Sequence, residues 1–182
     1  MQPLRTERLV IRNFVVDDYS ALRKLVIHFN DSEYAAYDHL WPTSKLEILN
    51  IVMELAKSDS FLAVTLKESG TFIGFISLQT EESSSCEYNL GYNFDFDYHG
   101  RGYATEACRE VLLYVFEQLN ARCIEAGTAA WNQRSRKLLA RLGFEKVGEK
   151  MVSFHKDDRG RPIEFLGYEF ILKKNDFLVE TH

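Results

Sequence analysis

At 182 residues, with 46% apolar and 27% charged side chains, the chain has the size and composition of a globular domain, which excludes collagen-like and intrinsically disordered classes. A net charge of −5 gives it no bulk attraction to nucleic acid. Its apolar runs fall short of the ~18 residues that cross a bilayer, so a membrane partner is not expected either.

The first element is "RLVIRNF", which alternates and is rich in β-branched residues, the pattern of a strand. Asp17 and Asp18 are placed to cap a helix with Leu22, Leu25, Val26 and Phe29 at helical spacing. Ser44 and Glu47 form a capping-box pattern before a second helix, whose apolar face reads as Leu46, Leu49, Met53 and Ala56. "FLAVTL" and "FIGFISL" flank "KESGT", a hairpin with Gly70 as the permissive turn residue. A serine-rich loop at Ser83–Ser85 precedes "CEYNLGYNF", a strand with Tyr88, Leu90, Tyr92 and Phe94 on one face. The stretch "FDYHGRGYATEACREVLLYVFEQL" then runs two glycines into a helix whose face holds Ala104, Ala107, Cys108, Val111, Leu112, Val115 and Leu119. "CIEAGTA" reads as a short strand. Asn132 opens a further helix containing Leu138, Leu139 and Leu142, with Gly143 as its C-cap. "KMVSFHK" and "IEFLGYEFILKK", joined by a turn at "DDRGRP", close the chain as a strand pair. The predicted fold class is therefore α/β with a mixed sheet, not a doubly wound parallel one. Nothing reads as a linker, so residues 1–182 are expected to form a single domain.

Cys86, Cys108 and Cys123 have no metal-ligand spacing, and their odd number predicts reduced, buried thiols and a cytoplasmic setting. The opening "MQPLRTERLVIRNF" carries charges where a signal peptide needs an apolar core. His28, His39 and His155 are scattered, so no metal is expected.

"HGRGYA" holds the main functional signal. The first turn of a helix has backbone N–H groups without internal partners, and the peptide dipoles add roughly half a positive charge there. Glycine lacks the Cβ that would block an approaching phosphate. Gly100 and Gly102, with Arg101 between them, thus read as an anion cradle. The alternative is a plain turn. The Rossmann pattern fails because Thr105 occupies the third glycine position, and no P-loop Gly-Lys-Ser/Thr is present.

The place of the cradle, after several strands and before a second capped helix, decides between these. In it, His99-Gly100-Arg101-Gly102-Tyr103-Ala104 resembles the Gln/Arg-x-x-Gly-x-Gly/Ala motif of the GNAT family, the Gcn5-related N-acetyltransferases. "GYATEA", the opening "LRTERLVIR" and "WNQRSRKLLARLGFEKVGE" are similar to the RimJ/RimL branch of that family, which acetylates protein N-termini and includes enzymes for small amines. The resemblance implies a mostly antiparallel central sheet with a splayed strand pair, flanked by helices. It implies acetyl-CoA as co-substrate, without a metal. Backbone N–H groups from Gly100 to Thr105 would hold the pyrophosphate. Tyr92, Asn93 and Phe94 would pair with the pantetheine arm at a local break in strand pairing, and Asn132 would contact the cofactor. His99 departs from the motif, in which it would either orient the loop or touch phosphate.

Direct acetyl transfer needs a neutral amine, donors for the oxyanion and a proton for the leaving thiolate. The family's usual tyrosine donor is replaced here by Leu139, which leaves Ser135 as the branch's alternative. The usual glutamate is replaced by Asn89, and Glu87 on the same strand face is the candidate base, acting through water. Tyr34, Tyr37 and Trp41, in "EYAAYDHLWP", are candidates for an acceptor pocket. The expected function is transfer of an acetyl group from acetyl-CoA to a primary amine, a protein N-terminal α-amine or a small molecule. The alternatives are an acyl-CoA-binding module without turnover and, more weakly, a nucleotide-binding protein. Oligomeric state stays open, a homodimer included.

Overall fold

A computed structural model of the chain describes residues 1–80 and 86–180, so the loop expected at Ser83–Ser85 lies outside the described residues. The strands are β1 (Leu4–Arg5), β2 (Leu9–Asn13), β3 (Phe61–Leu66), β4 (Phe72–Gln79), β5 (Tyr88–Phe94), β6 (Cys123–Ala129), β7 (Glu145–Lys156) and β8 (Pro162–Lys173). The helices are α1 (Tyr19–Asn30), α2 (Lys45–Leu55), α3 (Tyr103–Glu117), α4 (Gln133–Arg141) and α5 (Lys174–Glu180). The expected elements are present. The final helix, α5, is an addition, anchored by Phe177 packing on Phe116 at 5.4 Å between ring centres.

The strands form one eight-stranded sheet in the order β1-β2-β3-β4-β5-β6-β8-β7. All neighbours are antiparallel except β5 and β6. That parallel pair meets only at Tyr88 with Ile124 and Asn89 with Glu125. Beyond those rungs each strand stays with its outer neighbour, β5 with β4 and β6 with β8, and the two diverge. The break in pairing expected within the end of β5 is absent, because its ladder with β4 is continuous from Asn89 to Phe94. The opening lies instead between β5 and β6.

Helices cover both faces. Leu90, Val111, Leu112, Ile124 and Leu139 belong to a core on the α3 and α4 side, and Phe14, Leu22, Val52, Phe72 and Phe75 to one on the α1 and α2 side. Three local expectations change. Asp18 does not cap α1; it takes a bidentate ion pair from Arg12 at 2.7 and 2.9 Å and caps the short 3-10 turn Val16–Asp18. α2 buries Ile48 and Val52, with Leu46 and Met53 exposed, because apolar residues surround this helix and its sequence does not single out one stripe. Leu119 falls beyond α3 and is exposed, and Phe116 fills the core instead.

The reduced-thiol expectation also fails for two cysteines. Cys86 and Cys123 form a disulfide, with Cα atoms 5.1 Å apart. They lie just ahead of Tyr88 and Ile124, the first rung of the parallel pair. Cysteine spacing alone does not reveal that adjacency, and the thiol argument for a reducing compartment falls with it. Cys108 is the free thiol, buried, and burial raises its pKa. Among the described residues no helix is long and apolar enough to cross a membrane, and no cluster of His, Cys, Asp and Glu is arranged to hold a metal.

Candidate active site

Gly100 and Gly102 adopt φ values of 76° and 81°, the left-handed region that penalises any residue with a Cβ. A Cβ built on Gly100 meets nothing within 4 Å, so space lies open beside the loop. Gly102 is the N-cap of α3, without a side-chain cap. The first helical bond runs from Glu106 N–H to the Gly102 carbonyl at 3.0 Å. The N–H groups of Tyr103, Ala104 and Thr105 come before it and project from the helix end. This geometry fits the pyrophosphate of a coenzyme, as backbone donors on a positive dipole end. Arg101, expected to add a charge there, does not line the cavity; its guanidinium lies 5.8 Å from the Tyr98 ring centre.

His99 orients that loop. Its Nε2–H donates to the Phe94 carbonyl at 2.9 Å, and Arg134 donates to its Nδ1 at 3.2 Å. The ring so ties the cradle to the end of β5 and to α4. A second brace comes from Arg8. Its Nε donates to Glu106 at 2.7 Å, its Nη1 to the Arg101 carbonyl at 3.0 Å, and its guanidinium lies 4.6 Å from the Tyr103 ring centre. Arg8 opens "RLVIRNF", whose alternation marks a strand and nothing more; contact across so much sequence left no local signal.

Tyr92, Asn93 and Phe94 border the opening between β5 and β6, where β5 has no ladder with β6. Such an edge can add an extended chain. Tyr92 carries more than backbone: its Oη lies 2.7 Å from Ser135 Oγ. Desolvation raises the phenol's pKa, which keeps it protonated at neutral pH. Asn132 accepts from the Ser135 N–H at 3.1 Å and so caps α4 and fixes the serine. Leu139 is fully buried in the core.

Glu87 is not brought to this site. Its carboxylate accepts from Arg122 Nε at 2.7 Å and from the N–H groups of Arg122 and Cys123. The Arg122 hydrogen bond is the main cause that draws its pKa to about 2, far too low for a base. A carboxylate depressed in this way stabilises the fold above its unfolded pKa, near 4.3, and loses that contribution as pH falls through the folded value. Glu87→Gln is therefore expected to melt below the parent protein at pH 6, with the gap closing toward pH 2, and to acetylate at the parent rate. A tenfold loss of turnover would return Glu87 to the chemistry.

The carboxylate that does line the opening is Glu125, missed in the sequence because it lies on β6. It pairs with Asn89 at the last parallel rung, on the face shared with Gly91 and, across β4, Ser77 and Gln79. One cavity of about 1370 Å³ joins this point to the cradle on one side and to Tyr34, Tyr37 and Trp41 on the other. Single-ligand sites are usually about 300–1,000 Å³, so there is room for two substrates. Trp131, Phe154 and Phe165 complete the far wall from three other segments, which no local pattern announced. His155 pins that wall: its Nε2–H donates to the carbonyls of Ala35 and Asp38 at 2.9 and 2.8 Å.

Parallel strands that part above a glycine-bordered helix end define a site for joining a phosphate-bearing donor to a second substrate. Residues 8–145 match the family model described as an acetyltransferase (GNAT) domain. The chain belongs to the GNAT family of acetyltransferases, and enzymes of this family use acetyl-CoA. It is 27% identical to N-acetyltransferase p20 of Bacillus licheniformis, over 97% of this chain and 99% of that protein. It is 28% identical to the ribosomal protein uS5-alanine N-acetyltransferase of Escherichia coli, over 80% of this chain and 79% of that one. Among solved structures, a GNAT-family acetyltransferase from Bacillus anthracis superposes with a TM-score of 0.80 at 22% identity, covering 96% of this chain and 99% of that one. A spermidine N-acetyltransferase mutant from Vibrio cholerae gives 0.72 at 16%, covering 97% and 100%. Both structural likenesses concern the fold.

Proposed function

We propose that this acetyltransferase moves the acetyl group of acetyl-CoA directly to a primary amine, a protein N-terminal α-amine or a small molecule, with no acyl-enzyme intermediate. The observation that carries this reading is the Tyr92–Ser135 pair, which borders the same cavity as the cradle at the point where β5 and β6 part. Backbone N–H groups from Gly100 to Thr105 hold the pyrophosphate, and the β5 edge at Tyr92–Phe94 aligns the pantetheine arm. A neutral amine forms the new N–C bond as the C–S bond breaks. Ser135 Oγ donates the proton to the departing sulfur, with Tyr92 Oη hydrogen-bonded behind it. Glu125 takes the amine proton through water. A weakly placed base suits an amine that is partly neutral already: an α-amine near pKa 8 fits better than a lysine near 10.4.

The test is thermal unfolding with acetyl-CoA, with ATP as control. A ligand that binds only the folded state stabilises it by about 2.7 kcal/mol at a hundred times its Kd. A rise in Tm with acetyl-CoA and none with ATP is expected, followed by thiol release when amines are added. No rise at millimolar acetyl-CoA overturns the reading. A rise without thiol release from any amine leaves a binding module.

A further inference from the structure

The acceptor end of the cavity has a composition the transfer chemistry does not require. Phe96, Tyr34, Trp131, Tyr37 and Phe165 form a chain of ring contacts, at 6.0, 5.3, 4.5 and 5.1 Å between successive centres. These rings come from distant parts of the chain, yet all line the cavity. Phe154 extends the row at 5.8 Å from Phe165. Trp131 and Phe154 each remain 36% exposed, a large apolar surface for one wall. The wall is held in advance, since His155 fixes the turn that carries Tyr34 and Tyr37.

Two ligand chemistries suit rings: a cation over open ring faces, or apolar carbon against their edges. The packing separates them. Tyr34 stacks near-parallel with both Trp131 and Phe96, at 22° and 25°, so its faces are taken up by other rings. The carboxylates lining the cavity are Asp38, Glu125 and Glu169, and Glu169 is ion-paired with Lys150 at 2.7 Å. A polyamine needs a carboxylate for each ammonium it buries. With Glu125 at the reacting amine and Glu169 held by Lys150, Asp38 alone is left among the lining carboxylates for the two further ammoniums of a spermidine.

Resting on the acetyl-transfer reading above, we propose that the acceptor is a monoamine with an apolar, preferably aromatic, group close to the amino nitrogen. The amine faces Asn89 and Glu125, and the apolar group lies along Tyr37, Trp131 and Phe165. A free arylalkylamine and a peptide that begins with an aromatic residue share that chemistry.

Thiol release would be measured with 2-phenylethylamine, ethylamine, spermidine, and tetrapeptides beginning with Phe or Ala, at saturating acetyl-CoA. Small differences in an apolar group change kcat/KM by about 10- to 200-fold in a hydrophobic pocket. The phenyl-bearing amine is therefore expected to exceed ethylamine and spermidine at least tenfold in kcat/KM. The two Phe-bearing probes distinguish a free amine from a peptide as the source. Trp131→Ala and, separately, Tyr37→Ala are expected to lower the phenylethylamine-to-ethylamine ratio at least fivefold, mainly through KM. Equal rates for 2-phenylethylamine and ethylamine, a preference for spermidine, or acetylation of no amine overturns the proposal. If acetyl-CoA still raises Tm in that case, cofactor binding survives and only the acceptor assignment is lost.

Discussion

Gly102→Glu is expected to abolish the acetyl-CoA-dependent rise in Tm. Two effects act together. Glutamate at φ 81° must adopt a backbone conformation that costs about 1–2 kcal/mol without glycine. Its carboxylate also lies at the end of α3, where it competes for the N–H groups and positive dipole that a pyrophosphate would use. The comparison with Gly102→Ala separates them. Alanine meets the same backbone cost, and its Cβ lies 3.4 Å from Arg8 Nη2, which a flexible side chain can absorb. The alanine variant should melt lower but keep a measurable shift with acetyl-CoA; the glutamate variant should show none. Equal affinity in Gly102→Glu and the parent would remove the cradle from cofactor binding.

The second large effect concerns Ser135. Removal of a positioned proton donor typically costs 10²- to 10⁴-fold, and a hydroxyl, being a weak acid, belongs at the lower end. Ser135→Ala is expected to reduce kcat by about 100-fold with acetyl-CoA affinity nearly unchanged. Tyr92→Phe should produce a smaller loss. The double variant should be little worse than Ser135→Ala alone, because residues that act as a unit are not additive. Full activity in Ser135→Ala excludes the serine from the transfer step. Additive losses would show that Tyr92 acts independently of it.

How much of this was legible in the sequence depends on the range of each interaction. Local signals were reliable. The Ser44 cap, the turn at Gly70, the cap at Asn132 and the left-handed Gly143 all appear as read, because each depends on a few neighbouring residues. The capping box is only half made: Ser44 Oγ accepts from the Glu47 N–H, but the Glu47 carboxylate returns to the Ser44 hydroxyl and not to its N–H. The cradle belongs to the same class: two positive-φ glycines at a helix start are a local fact. What failed was long-range. Glu87 reads as sharing a strand face with Asn89, but it lies in the bend just ahead of β5, and its partner Arg122 arrives only when β6 is laid beside β5. Glu125 reaches the opening through that same parallel pairing. Arg8 and Trp131 take their places through contacts with distant segments. The strand pattern speaks only for the backbone of Tyr92; its hydroxyl meets Ser135 through the packing of α4, 43 residues away in sequence.

The Cys86–Cys123 link has a consequence of its own. It spans 37 positions in sequence, and in the chain-entropy account a loop of that length restricts the unfolded chain by about 4 kcal/mol. The ring so closed contains β5, the glycine loop and all of α3. A single cut of the backbone inside the ring therefore releases no fragment. The two pieces stay joined through sulfur at the narrow end of the cleft, where β5 and β6 begin their pairing.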